Sequence, residues 1–191
     1  TLYNCEWEDV IDGLPKIDLI LTDPPYGISL PTDFKSRRRG VLSECRTDYP
    51  EIKGDDHPFD PSPFLTAPRV ILWGANYFAD KLPISSGWLT WDKRCKNGFH
   101  NDQADGELAW TNCIKGVRIF RHMWSGFLRD SERGDNWHPM QKPVALMGWC
   151  LNQVKDIDSV EYVFDPFSGC GPVPIACKMA GKKCMACERV E

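Results

Sequence analysis

Asp23-Pro24-Pro25-Tyr26 stands at the end of the apolar run Asp18-Leu19-Ile20-Leu21-Thr22, and its residues could activate a planar amino group. The amino nitrogen of adenine or cytosine is a poor nucleophile because its lone pair is delocalised into the ring. Two hydrogen-bond acceptors can localise that pair. The Asp23 carboxylate can accept one N–H, and the backbone carbonyl of Pro24 can accept the other. Pro25 restricts Pro24 to an extended conformation, and neither proline has an N–H to compete for these acceptors. Tyr26 offers an aromatic face on which a base could stack, worth about 1–3 kcal/mol at comparable sites. The same residues also punctuate an ordinary turn after a strand, so the rest of the chain must decide.

A second group lies near the other end. Val163-Phe164-Asp165-Pro166-Phe167-Ser168-Gly169-Cys170-Gly171 is an apolar strand entering a glycine turn, with a helical stretch over 173–180. Strand, glycine turn and helix form a nucleotide-binding unit, in which Gly169 and Gly171 permit tight geometry and close ligand approach. Pro172 or Pro174 suits the first helical turn. Asp165 would repel a pyrophosphate and suits a cationic amino group instead. Residues 183–187 read as a strand ending at Glu188, an acidic residue roughly 20 positions after the turn, where a ribose hydroxyl pair would be held. A third group, His138-Pro139-Met140-Gln141-Lys142-Pro143, opens an apolar helix over 144–154. Gln141 and Lys142, beside the positive end of that helix, could bind a carboxylate.

Groups so placed require an open α/β sheet, which holds its ligand at the carboxyl ends of its strands. The pattern predicts strands at 2–4, 19–22, 70–73, 88–91, 107–111, 117–122, 163–164 and 183–187, and helices near 75–82, 144–154 and 173–180. It also predicts a loop-rich insertion over 30–68 and a mobile polar stretch over 129–135. His57, in a Pro-rich loop, has no partner in the sequence that would make it a ligand.

In this order and spacing, Asp23-Pro24-Pro25-Tyr26, His138-Pro139-x-Gln141-Lys142-Pro143 and Asp165-Pro166-Phe167-x-Gly169-x-Gly171 resemble the S-adenosylmethionine-dependent DNA amino-methyltransferases of the circularly permuted β group. The segments 70–78 and 87–93 look like strands following the catalytic loop in phage and prophage members. The resemblance implies an open, mostly parallel seven-stranded Rossmann-like sheet with helices on both faces, circularly permuted. The final strand would lie between the glycine-turn strand and the N-terminal one. It implies S-adenosylmethionine as cofactor, with its methionine end among Asp165, Pro166, Phe167, Ser168, Gly169, Gly171 and the segment His138, Gln141, Lys142, and its ribose on Glu188. Glu6 stands where members often have Gly-Asp and is a candidate for the cofactor's adenine end. Cys170 and Pro172 replace frequent Ser and Thr. The resemblance further implies double-stranded DNA as partner, a flipped base as substrate and a place in DNA modification, including restriction–modification. Aspartate at the first motif position favours adenine over cytosine in this family.

At 191 residues, with 42% hydrophobic and 26% charged residues, the chain has the composition of one globular domain over 1–191. No stretch is apolar enough for a membrane span and no secretory signal pattern opens the chain, so a cytoplasmic protein is expected. Nine cysteines, an odd number, fit free thiols better than a disulfide framework. Cys184-x-x-Cys187 lacks a matching second pair, and no metal site is predicted. The formal net charge of −4 is unusual for a DNA binder. Its distribution offers a remedy, because Arg37, Arg38 and Arg39 cluster after the catalytic loop and Lys93 and Arg94 follow another strand. These are the candidate phosphate contacts. Arg118, Arg121, Arg129 and Arg133 form a looser group. The inserted segments 30–69 and 94–137 must read the target, and their shortness fits a short site, low specificity or a homodimer. Cytosine-N4 or RNA amino-methylation, and a non-catalytic DNA-binding subunit, are the rival readings. A protein-glutamine methyltransferase would carry Asn in place of Asp23.

Overall fold

The computed structural model describes residues 1–30, 52–94, 104–125, 128–132 and 141–189. Eight strands form one mixed sheet: β1 (Leu2–Asn4), β2 (Leu19–Thr22), β3 (Val70–Trp73), β4 (Trp88–Asp92), β5 (Gly106–Thr111), β6 (Val117–Arg121), β9 (Tyr162–Asp165) and β10 (Lys183–Glu188). A separate hairpin pairs β7 (Trp124–Ser125) with β8 (Leu128–Arg129). The spatial order in the main sheet is β1-β10-β9-β2-β3-β5-β4-β6. Strands β1 to β3 in that order are parallel, β5 runs antiparallel to both neighbours, and β6 is parallel to β4.

The central strands are legible as chemistry. β2 reads Leu-Ile-Leu-Thr and β3 reads Val-Ile-Leu-Trp, and every residue in both is buried. Parallel strands covered on both faces need such continuous apolar runs. Alternation then divides the side chains between two cores. Leu19, Leu21, Ile71, Trp73 and Val163 share one core with Leu146, Met147 and Cys150 of α1 (Val144–Gln153) and Val173 and Cys177 of α2 (Pro172–Met179). Ile20, Val70, Leu72, Phe164 and Met185 share the other with Phe59, Phe64 and Phe78. Cys184 and Cys187 fall on opposite sides of β10, one packed against each core, so they form no chelating pair. The described cysteines are free thiols.

Four expectations are corrected among the described residues. The sheet has eight strands rather than seven. Among the described residues the two α-helices both pack on the first core, and 3₁₀ turns at Trp7–Asp9, Ile11–Gly13 and Ser62–Thr66 pack on the second. Residues 75–82 form two short 3₁₀ turns, Ala75–Tyr77 and Ala79–Lys81, instead of a helix. Gly74, left-handed at φ 69°, precedes the first of these turns and Pro83 follows the second. Arg129, expected in a mobile stretch, is buried with its guanidinium 4.1 Å from the centre of the Trp124 ring. The order around β10 agrees with expectation, since β10 lies between β9 and β1. The Thr1 nitrogen donates to the Cys184 carbonyl at 2.7 Å, next to the β1–β10 pairing.

Candidate active site

Asp23 follows β2, Gly74 follows β3, Asp165 ends β9 and Glu188 ends β10, so these residues share the carboxyl edge of the parallel strands. The turn that carries Asp23-Pro24-Pro25-Tyr26 is held by Asp55, which nothing in the sequence marked out. Its Oδ1 accepts the backbone N–H groups of Tyr26, Gly27 and Ile28 at 3.0, 2.8 and 3.2 Å, and its Oδ2 accepts that of Leu30 at 2.7 Å. Asp55 is buried, so these donors satisfy a carboxylate that water does not reach. Gly27 at φ 74° must be glycine, because a Cβ there would stand 2.5 Å from the His57 carbonyl oxygen. His57 thus serves the turn through its backbone, while its ring lies exposed beside Asp56.

Around Asp23 the structure assembles a charge cluster. The Tyr26 hydroxyl donates to Asp23 Oδ1 at 2.6 Å, and Lys142 donates to Asp23 Oδ2 at 2.5 Å. Lys142 also donates to the Tyr26 oxygen at 3.0 Å and to Glu107 Oε2 at 2.8 Å. Lys93 donates to Glu107 Oε1 and lies 4.7 Å from the centre of the Trp91 ring. An ammonium has three N–H donors, and Lys142 faces three acceptors within the protein. Within the protein, Lys142 thus pairs with Asp23, Tyr26 and Glu107. Its side chain is only 2% exposed, and burial works against its charge, but Asp23 and Glu107 overcome this and hold it above the ordinary lysine value. Glu107 loses some of its charged form to burial, yet Lys142 and Lys93 more than compensate and bring its carboxyl down to about 2. Burial pushes the Asp23 carboxyl up, against the pull of Lys142.

Tyr26 does not present an open face. It is 8% exposed, and its ring stacks on Tyr77 with centroids 4.8 Å apart and planes 16° apart. Gly74 lies so close that a Cβ there would fall 1.9 Å from Tyr26 Cε1. Tyr77, half exposed, is the outer ring of this stacked pair.

The glycine turn forms the other half of the site. Asp165 is 1% exposed, and its Oδ1 accepts the Thr22 hydroxyl at 2.7 Å and the Phe167 N–H at 3.3 Å. Burial raises its carboxyl to about 7, with Asp23 and Glu188 adding to the effect and Thr22 opposing it. Glu188 Oε2 accepts the Gly169 N–H at 2.6 Å. Gly169 and Gly171 have φ of 52° and 83°, and a Cβ built on either meets nothing within 4 Å, so open space lies before the turn. Ser168 Oγ is buried without a hydrogen-bond partner among the described residues. A desolvated acid, an orphaned hydroxyl and an open glycine turn fit a ligand with a cationic amine and hydroxyl groups. Pro166 is buried, and Phe167 packs edge-on to Phe59 and Phe64, so both support the turn from behind.

Several predicted residues have other partners. At the start of α1, Glu132 accepts the Gln141 amide at 3.1 Å and the Val144 N–H at 2.8 Å. Glu6 pairs with Arg189 at 2.5 Å. Lys93 is turned inward to Glu107 rather than toward phosphates, and Arg94 grips Asp92 with two bonds of 2.9 and 3.0 Å. Arg37, Arg38, Arg39 and His138 lie outside the described residues. Glu107, Asp55 and Tyr77 are the additions. Glu107 and Asp55 are an isolated Glu on a strand and one of two adjacent Asp in a loop, and neither carries a local sign of its role.

Among the described residues no group of three or more metal-ligating side chains converges, and no helix is long and apolar enough to cross a membrane. In structure the chain is similar to the M1.HpyAVI–SAM complex, with TM-score 0.54 and 19% identity, covering 100% of this chain and 94% of that one. It is also similar to the PvuII cytosine-N4-specific DNA methyltransferase, with TM-score 0.60 and 12% identity over 100% and 82% of the two chains. A putative DNA modification methylase from Thermus thermophilus, complexed with S-adenosyl-L-methionine, matches with TM-score 0.51 and 16% identity over 99% and 89%. These likenesses concern the fold. None of the curated proteins matches the chain. The N6_N4_Mtase family model, described as DNA methylase, matches residues 90–191, more than half of the chain and including Glu107, Lys142, Asp165 and Glu188, and the chain belongs to this family of DNA methylases.

Proposed function

We propose that the protein methylates the exocyclic N6 of an adenine extruded from double-stranded DNA, with S-adenosylmethionine as cofactor and a permuted β-group architecture. The observation that carries this reading is Asp23, held at Oδ1 by Tyr26 and at Oδ2 by Lys142, on the same sheet edge as the open glycine turn. When bound, the cofactor supplies an electrophilic methyl group. Asp165, Ser168, Gly169, Gly171 and Glu188 are the residues that would hold it, Asp165 toward the amine and Ser168 and Glu188 toward hydroxyls.

The protein's own steps follow from the cluster. A carboxylate has about four lone-pair sites, so Asp23 keeps acceptor capacity beyond Tyr26 and Lys142. An adenine amine donating to Asp23 and to the Pro24 carbonyl has its lone pair localised on nitrogen. As the nitrogen forms the new N–C bond the methyl's C–S bond would break, its electron pair leaving with sulfur as a neutral thioether, and the nitrogen then gives up a proton, which a carboxyl raised by burial accepts more readily than an ordinary one. Extruding the base costs a few kcal/mol. Stacking offsets part of it, and the aromatic surface here is the Tyr26–Tyr77 pair, with Tyr77 on the outside. Adenine rather than cytosine rests on the aspartate of the first motif, since the geometry serves either amine. Residues 30–69 and 94–137, including Arg37, Arg38 and Arg39, are the proposed recognition segments. Sequencing of modified bases in DNA from cells expressing the chain tests the reading: N6-methyladenine in a defined context is expected, and unmodified DNA would refute it.

A further inference from the structure

Glu107 is 81 residues from Tyr26 in the sequence, yet it sits in the charge cluster behind Asp23 with its side chain only 15% exposed. Each of its oxygens takes one ammonium, Oε1 from Lys93 and Oε2 from Lys142. The cluster therefore contains two acidic and two basic side chains, and Lys142 is the bridge between the two acids. Isolated in a site that excludes water, a flexible four-carbon lysine needs more than one fixed partner to hold a single direction. Burying Glu107 with only one ammonium would also be costly, and Lys93 removes that cost.

We infer that Glu107 is a positioning residue for methyl transfer: with Lys93 behind it, it clamps Lys142 so that Lys142 fixes the Asp23 carboxylate and the Tyr26 hydroxyl for the incoming amine. Glu107 touches neither base nor cofactor and acts through Lys142. The inference deepens the proposed function and rests on it. Misplacement of a reacting group by about 1 Å can cost roughly 100-fold in rate, so loosening the clamp should appear in turnover and not in cofactor affinity.

The test compares wild type with Glu107→Gln and with Glu107→Gln combined with Lys93→Gln, which restores the formal charge balance without the clamp. Three quantities are read: kcat on DNA, the dissociation constant for S-adenosylmethionine by calorimetry, and acylation of Lys142 by an N-hydroxysuccinimide ester followed by mass spectrometry. Both variants should lose about tenfold to 100-fold in kcat, keep the wild-type cofactor affinity, and expose Lys142 to acylation that the wild type resists. Should Glu107→Gln fail to fold, Lys93→Met, which removes the outer partner alone, should still raise Lys142 acylation and lower kcat. Wild-type kcat and an unreactive Lys142 in the variants would overturn the clamp, and so would recovery of kcat in the double variant, which would make the effect one of net charge. If the wild type itself transfers no methyl group, the proposed function fails, while the acylation comparison still decides the clamp.

Discussion

Replacing Asp165 by Asn should make the protein more stable at neutral pH while removing its affinity for a cationic cofactor. Asn is nearly isosteric and its Oδ1 can still accept from Thr22 and from the Phe167 N–H, the two bonds that hold Asp165. What it removes is a buried charge. Burial raises Asp165 from its ordinary value of 3.8 to about 7, so between pH 4 and 7 the folded state binds this proton more tightly than the unfolded one. Stability therefore falls as pH rises through that window and levels off above it. At about 1.4 kcal/mol per pH unit, the penalty grows from about 1.5 kcal/mol at pH 5 to about 4 at pH 8. Urea unfolding of both proteins at the two pH values should show the Asn variant gaining about 2–3 kcal/mol relative to wild type between pH 5 and pH 8. Calorimetry should show S-adenosylmethionine binding lost in the variant and accompanied by proton release in the wild type near pH 6. A stability difference that is flat across pH, or that shrinks as pH rises, would refute the argument that Asp165 waits as an unneutralised carboxyl.

Lys142→Met leaves Asp23 and Glu107 facing each other without their shared ammonium, and removing one member of a buried ion cluster typically costs about 3–5 kcal/mol. The expected outcome is a large drop in the urea midpoint together with loss of methylation. Gly74→Ala places a Cβ 1.9 Å from Tyr26 Cε1 at a φ of +69°, so the near-ultraviolet tyrosine signal should change and activity should fall with Tyr26 displaced. Asp55→Ala orphans the N–H groups of Tyr26, Gly27, Ile28 and Leu30. The buried Tyr26 N–H left unsatisfied costs about 1–3 kcal/mol, the half-buried and exposed ones less, and hydrogen exchange should become faster at those four amides.

The parts of the molecule that could be read from sequence are those where local chemistry and tertiary role coincide. β2, β3 and β9 are buried on both faces, and their apolar runs say so directly. The glycine turn was legible because Gly169 and Gly171 adopt left-handed φ, which few other residues tolerate. Lys142 could be singled out but not its partners within the protein, because its position at a helix start says nothing of the strand end its side chain reaches. Glu107 could not be found, since Gly-Glu-Leu-Ala-Trp-Thr reads as an ordinary strand and the partners of the carboxylate are distant in sequence. Residues 75–82 form 3₁₀ turns in place of the expected helix, and the first of them carries Tyr77 onto Tyr26, a contact no local pattern announces. The sequence near 93–94 showed two positive charges but not their partners within the protein, Glu107 for Lys93 and Asp92 for Arg94.

The central claim is that Asp23 activates a base amine for methyl transfer. Purified wild type and Asp23→Ala should each be incubated with DNA and methyl-labelled S-adenosylmethionine, and the DNA digested to nucleosides and separated. The account predicts label in N6-methyladenine with the wild type and essentially none with Asp23→Ala, although both bind the cofactor. Label at a ring carbon, or an Asp23→Ala protein that methylates at the wild-type rate, would contradict it.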